Sequence, residues 1–251
     1  MKLRVKLAKE STVRVFVNNQ PSGSGFVVSS SGLVLTCFHV VESMQPAPNG
    51  QTVVSYAKTI EVEFPGGVRV PTTVHASCQN AGFLAAISHD YCLLETQTAR
   101  TSFLKLGSLA SVSEGDPIYL CGYPMGIAQP VVATGMLSTK WAAPVYIGNG
   151  PSRSVAWLDI TMNKGNSGGP IIRITDDPAN DNVIGIATFG LNPFAQPAET
   201  LVQVVQAFPG NVVIMGVDFK QFGTLIGSAL ASTSIGVNGC VDIDYARKVL
   251  P

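Results

Sequence analysis

The chain has 251 residues, enough for one large domain or two small ones with a substantial core. Only 13% of residues are charged and 46% are hydrophobic, with 25 Gly and 16 Pro in place of the missing charge, which excludes a disordered chain and a coiled coil. Sixteen basic residues balance sixteen acidic ones, so there is no positive excess to bind nucleic acid or an anionic membrane.

The first residues, MKLRVKL, alternate Lys2, Arg4 and Lys6 with Leu3, Val5 and Leu7. That period of two predicts a strand. The segment lacks the apolar core of a secretory leader, so a cytoplasmic protein is expected. Residues 15–41, 117–139 and 221–241 carry no Asp, Glu, Lys or Arg, and each run is long enough to cross a bilayer. Their content argues otherwise: the first holds NNQPSGSG, the second GYPMG and AQP, and the third is rich in Gly, Ser, Thr and Asn. No membrane span is expected.

Short β-type runs follow one another, from STVRVFV, GFVVSSSGLVLT and TIEVEF through YCLLE, PIYLCG and VVATGMLS to SVAWLDI, PIIRIT and NVIGIATFG. With turn residues between them, they predict an antiparallel barrel or sandwich. EFPGGV and SSSGLV read as hairpin turns. Helices are predicted at 197–208, at 218–231 with Asp218 as cap, and over DIDYARKVL with Asp242 or Asp244 as cap. An apolar strand, NVVIMGV, is predicted between the first two. Five cysteines, without a CxxC, mostly in apolar runs, read as reduced and buried. Three histidines without ligand spacing give no reason to expect a metal site, and no cofactor is expected.

GNSGGP at 165–170 is the sharpest signal. A serine hydroxyl is a poor nucleophile until a neighbouring base takes its proton. Glycines around it let the backbone approach a substrate and let N–H groups converge as an oxyanion hole. Alone, the motif reads equally as a surface turn. His39 ends the apolar run LTCFHVV, and Asp90 precedes YCLLE. Each has an ordinary structural reading by itself, but His, Asp and Ser in that order form a candidate nucleophilic set.

With these residues in hand, the sequence resembles the trypsin-like (chymotrypsin-fold) serine proteases, nearest to the HtrA/DegP type. SGSGFVVSSSGLVLTCFHVV is similar to the family's strand leading to its histidine, and HDYCLLE to its Asp-containing strand. GDPIYLCGYPMGIAQPVVATGMLS resembles the opening hairpin of the second barrel, DITMNKGNSGGPII the nucleophile loop, and VIGIATFG the strand that pairs with substrate. The resemblance covers most of 11–190 and the chain's end. It implies an all-β fold of two six-stranded antiparallel barrels, with a helical insertion and a short C-terminal helix. The barrels would occupy 1–112, carrying His39 and Asp90, and 113–251, carrying Ser167.

The resemblance implies a serine endopeptidase acting on protein or peptide substrates. Ser167 is the expected nucleophile, His39 the base and Asp90 its orienter. The N–H groups of Gly165 and Ser167 are the expected oxyanion hole. Thr188 is expected beside Asp90, and Thr188, Phe189 and Gly190 would pair with substrate. Thr161 and Met162 map to the specificity pocket, where the absence of a carboxylate implies cleavage after Ala, Val or Leu. Lys164 would flank the pocket and favour acidic neighbours. His75 and His89 have no matching role, and His89 is expected on the surface, facing away from Asp90 along a strand.

There are departures from the digestive relatives. Val40 replaces the cysteine after their histidine, and Asn166 replaces the Asp that their new N-terminal ammonium pairs with. Activation by N-terminal cleavage is therefore not expected; control by loop ordering, as in HtrA-type proteases, is. Members of that type usually carry a PDZ domain after the protease domain, and none is expected here. Residues 191–234 enlarge what is a short loop in the family, and read as a lid, a self-association surface or a receptor for a regulatory partner. The competing readings are a protease-fold scaffold with a latent triad and, less well, an esterase.

Overall fold

The structure, a computed structural model, describes residues 2–47, 50–124, 127–144, 152–190, 195–210, 212–214, 216–231 and 237–250. Alternation dominates the first half. In β1 (Thr12–Val17) Val13 and Val15 point inward while Arg14 points out. In β6 (Ile60–Phe64) Ile60, Val62 and Phe64 are buried, and Glu61 and Glu63 face outward toward Arg69. Strands with one wet and one dry face close on themselves to hide the dry one.

They do so twice. The first closed barrel runs β1, β2 (Gln20–Val27), β3 (Leu33–Thr36), β8 (Cys92–Thr96), β7 (Val68–Val74) and β6. The second runs β10 (Val131–Ala143), β11 (Arg153–Asp159), β16 (Val237–Asp242), β13 (Asn182–Gly190), β12 (Pro170–Arg173) and β9 (Pro117–Gly122). Every pairing within the barrels is antiparallel. Phe26, Leu35, Leu93 and Leu94 fill the first core, and Ile118, Leu120, Leu137, Leu158 and Ile171 the second. The fold is the expected double barrel.

The N-terminus departs from expectation. Lys2–Ser11 is helix α1, not a strand. A helical face wins because it has somewhere to go. Arg4 reaches Asp181 at 3.1 Å and the Thr175 carbonyl at 2.9 Å, and Ala8, one turn later, is fully buried. Lys6 and Glu10 pair at i,i+4 on the wet side. The apparent alternation was six residues of good helix formers with no sheet edge to join.

Two further elements were not foreseen. β4 (Glu42–Pro46) and β5 (Thr52–Tyr56) form a separate hairpin, and Phe83–His89 is helix α3. His89 therefore ends a helix and does not sit in a strand. It is not a surface group either: its ring stacks on Tyr245 at 3.8 Å and 9°. The insertion contains α4 (Ala195–Ala207) and α5 (Phe219–Ala231). These helices approach closely, since a Cβ on Gly223 would stand 2.6 Å from Val205 and one on Gly227 2.4 Å from Val202. The expected NVVIMGV strand is instead a minimal hairpin, β14 (Val213–Ile214) with β15 (Val217–Asp218). Its residues 211 and 215 lie outside the described residues, as do 191–194 and 232–236 of the insertion and 125–126 of the Gly-Tyr-Pro-Met-Gly loop. Asp218 and Asp242 cap as expected, accepting from the N–H groups of Gln221 and Asp244. Asp242 begins α6 (Ile243–Arg247).

Candidate active site

His39 lies in a single helical turn, α2 (Phe38–Val41), directly after β3. The strand delivers it to the rim of the first barrel, and the turn lifts its ring out of the core. Its side chain is 23% exposed. Asp90 arrives from the other direction, as the cap at the end of α3. It adopts the left-handed conformation, φ 55° and ψ 51°, and its N–H donates to the Ala86 carbonyl. Asp tolerates this region better than most residues, but it still costs on the order of 1–3 kcal/mol. The kink turns the carboxylate inward, where it is fully buried.

A buried carboxylate needs donors. Asp90 has three. The Nδ1 of His39 lies 3.0 Å from Oδ1 and 2.9 Å from Oδ2, and the His39 backbone N–H donates to Oδ1 at 3.0 Å. The third is the Thr188 hydroxyl, which donates to Oδ2. Thr188 can reach because β13 bulges there: Ala187 pairs with Cys240 and Phe189 with Gly239, leaving Thr188 without a partner. Burial works against ionisation of Asp90, but His39 and Thr188 outweigh it and hold the carboxyl below its ordinary range. For His39, burial likewise disfavours the charged ring. The Asp90 charge and hydrogen bond, aided by Glu42 and opposed by Arg153, prevail and raise its pKa above 6.5.

The Gly165–Ser167 turn comes from the second barrel. The Asn166 N–H donates to the Asn163 carbonyl at 3.0 Å, closing a four-residue turn, and Gly165 at its third position has φ +100°. A positive φ there is the mark of a type II turn. Along 165–169 the N–H groups of Asn166, Gly168 and Gly169 donate to backbone carbonyls, whereas those of Gly165 and Ser167 do so to none among the described residues. Those two are the expected oxyanion donors.

Ser24 anchors this turn to the first barrel. Its N–H donates to the Ser167 carbonyl at 2.8 Å, its hydroxyl donates to the Gly165 carbonyl at 2.7 Å, and its hydroxyl accepts from the Tyr123 N–H at 2.9 Å. Two glycines permit the approach. A Cβ on Gly168, φ +86°, would stand 2.0 Å from the Ser24 carbonyl oxygen. One on Gly23 would meet the Ser167 carbonyl oxygen and the Val40 side chain, each at 2.8 Å. Ser167 and the residue after His39 thus flank the same glycine.

The remaining expected residues surround this centre. Met162 is buried in the second core, while Thr161 and Lys164 are exposed. β12 pairs with β13 only as far as Ile186, so along Thr188–Gly190 one strand edge has no partner among the described residues. On the other edge, Gly190 pairs with Asn238. Asn238 is buried, donates to the Ile160 carbonyl at 2.5 Å, and was missed in the sequence. Its signal was one polar residue inside the run Val237–Val241. Ser24 was missed too, although it stands between glycines in SGSGF. His75 only caps a turn, accepting from the Ser77 N–H.

The model of the trypsin-like peptidase domain matches residues 23–186. The chain belongs to this family. Among its curated relatives, serine protease HTRA3 of Mus musculus is 26% identical over 202 residues, which span 79% of this chain and 40% of that protein. Mitochondrial serine protease HTRA2 of Drosophila grimshawi is 28% identical over 180 residues, covering 71% of this chain and 37% of that one. The trypsin-like domain here thus spans about two fifths of these relatives' length. In fold it is similar to the HtrA-type protease AlgW with decapeptide, with a TM-score of 0.61 at 17% identity over 98% of this chain and 65% of that one.

Proposed function

We propose that this trypsin-like domain is a serine endopeptidase. The observation that carries the reading is the buried Asp90 carboxylate, held by His39 and Thr188 beside a turn fixed by Ser24. Asp90 fixes the His39 tautomer with the proton on Nδ1, which places the accepting lone pair on Nε2. His39 takes the Ser167 proton as the oxygen attacks a peptide carbonyl, and returns it to the leaving amine. The Gly165 and Ser167 N–H groups receive the oxyanion. Water then hydrolyses the acyl-enzyme by the same route.

The edge at Thr188–Gly190, unpartnered among the described residues, suits a peptide added as an antiparallel strand, and the AlgW relative is described with a decapeptide. Met162 fills the region before the nucleophile, and no carboxylate stands at 161 or 162, which supports cleavage after Ala, Val or Leu. Five cysteines are free and buried, in keeping with a reducing, cytoplasmic setting. In the insertion, Val204, Phe208, Phe222 and Leu225 are exposed apolar side chains. They support a regulatory partner or self-association there.

Incubation with a denatured protein substrate and mass-spectrometric mapping of the products tests the reading. Internal cleavage that disappears in Ser167→Ala is expected. Intact substrate at every pH and enzyme concentration would favour a scaffold with a latent triad.

A further inference from the structure

Sequence spacing offers no metal site, yet the fold assembles a ligand set from two chain segments far apart. Cys37 stands at the end of β3, His39 in the turn after it, and Asp90 at the cap of α3. The Cys37 sulfur, a His39 ring nitrogen and an Asp90 oxygen all lie within 4.8 Å of one another. The Cys37 thiol is fully buried and donates to the Ala187 carbonyl at 3.2 Å, next to Thr188. We propose that Cys37, His39 and Asp90 bind a soft divalent cation of the zinc or cadmium class, and that the bound ion switches the triad off.

The chemistry of the donors selects the ion. Thiolate and imidazole favour zinc-like metals over calcium or magnesium. Zinc lies about 2.3 Å from sulfur and about 2.0–2.2 Å from nitrogen or oxygen, so its ligands stand roughly 3.3–3.6 Å apart. His39 Nδ1 and Asp90 already sit at 2.9–3.0 Å. To complete the set that pair opens by a few tenths of an ångström, and the sulfur closes by about 1.2 Å at most. His39 is the member of the set that reaches solvent, with its side chain 23% exposed.

Charge also balances. The ion displaces one proton, from the Cys37 sulfur, while the His39 proton moves from Nδ1 to Nε2. Thiolate, carboxylate and a divalent cation then sum to zero in a buried place where a net charge is costly. Burial and the Asp90 charge hold the Cys37 thiol well above its ordinary range, Arg153 opposing them only in part, so the sulfur proton leaves only as the ion binds. The consequence for chemistry follows from the tautomer. A neutral imidazole with metal on Nδ1 carries its proton on Nε2 and has no lone pair for the Ser167 hydroxyl. The inhibitory part rests on the peptidase reading; the binding part does not.

The test uses the whole chain and cadmium, whose thiolate complex absorbs in the ultraviolet. The expected result is a charge-transfer band that saturates at one cadmium per chain. The band disappears in Cys37→Ser, and persists in Cys78→Ser, which removes the thiol beside Cys92. His39→Ala keeps the sulfur but loses a ligand, so cadmium affinity falls by more than the roughly 10–100-fold that loss of an outer-sphere partner costs. This variant serves if Cys37→Ser does not fold. Zinc, in turn, abolishes peptide turnover reversibly, with a chelator restoring it. A band that survives Cys37→Ser, affinity unchanged in His39→Ala, or a band lost in Cys78→Ser would overturn the site. A normal cadmium band in a chain that cleaves nothing would leave the site standing and refute the peptidase reading alone.

Discussion

Ser24→Ala is the most informative single change, because one hydroxyl serves both barrels. It donates to the Gly165 carbonyl and accepts from the Tyr123 N–H. Ser24 is fully buried and Tyr123 is 3% exposed, so no water replaces the hydroxyl on the Tyr123 side. An orphaned buried N–H costs about 1–3 kcal/mol. The Gly165 carbonyl is on a partly exposed turn and recovers a water partner, so it adds at most about 1 kcal/mol. The sum, about 1–4 kcal/mol, lowers Tm by roughly 2–16 °C for a chain of this size. The turn that holds the Gly165 N–H also loses its tether. Complete loss of one oxyanion donor costs about 10²–10³ in kcat, so a loosened turn is expected to cost about tenfold or more, with KM little changed. Thermal unfolding and steady-state peptide turnover, both recorded well below the Tm of the variant, check this. A lower Tm with unchanged kcat would refute the claim that Ser24 positions the oxyanion turn, and an unchanged Tm would refute the burial argument itself.

Asp90→Asn removes the charge that sets the His39 tautomer and is expected to lower kcat by about 10⁴-fold, the cost of an amide in the template triad. The same variant tests the pH argument. His39 must be neutral to act as base, and its pKa lies above 6.5, so the acid limb of kcat/KM in the native chain has its midpoint above pH 6.5. Without the Asp90 charge, burial remains the largest influence and Glu42 and Arg153 oppose one another, so the midpoint falls; a midpoint that stays put contradicts the assignment. For stability the signs run oppositely: the raised His39 pKa stabilises the fold fully below pH 6.5 and that part is lost as pH rises through the raised value, while the lowered Asp90 pKa gives stability above about pH 3.8 that is lost as pH falls through the lowered one. Met162→Ala opens space in the second core, costing about 2–5 kcal/mol, and is expected to extend cleavage from Ala, Val and Leu to Phe. Peptide-library profiling reads this out, and dominant cleavage after Lys, Arg, Asp or Glu in the native chain would contradict the pocket assignment. Replacing Phe222 and Leu225 together by Ser is expected to change the sedimentation behaviour or the regulation of the chain while leaving basal turnover of a short peptide intact; if neither property moves, the insertion is only a packing elaboration.

Much of this was legible because local and global signals agreed. Alternation in TVRVFV and IEVEF put Val13, Val15 and Val62 inside, and the Gly-rich turns at 66–67 and 32 closed hairpins where expected. The helices of the insertion could be read from their own caps and periodicity. The misses share a physical cause, which is that partners distant in sequence decided the outcome. α1 exists because Asp181 and Thr175 wait for Arg4. α3 exists because Asp90 has to arrive at a sharp angle, and its left-handed cap leaves no mark on the sequence beyond a single Asp. Ser24 and Asn238 act through backbone atoms more than seventy residues away, and Cys37 joins His39 and Asp90 only in three dimensions.

The central claim is that Ser167 is activated by His39 and Asp90. Labelling with a fluorophosphonate, which reacts with an activated serine, tests it most directly. The account predicts one adduct per chain, mapped to Ser167 by mass spectrometry, absent in Ser167→Ala and strongly slowed in His39→Ala. Labelling that persists in Ser167→Ala, or no labelling of the correctly folded native chain after zinc has been removed, would contradict it.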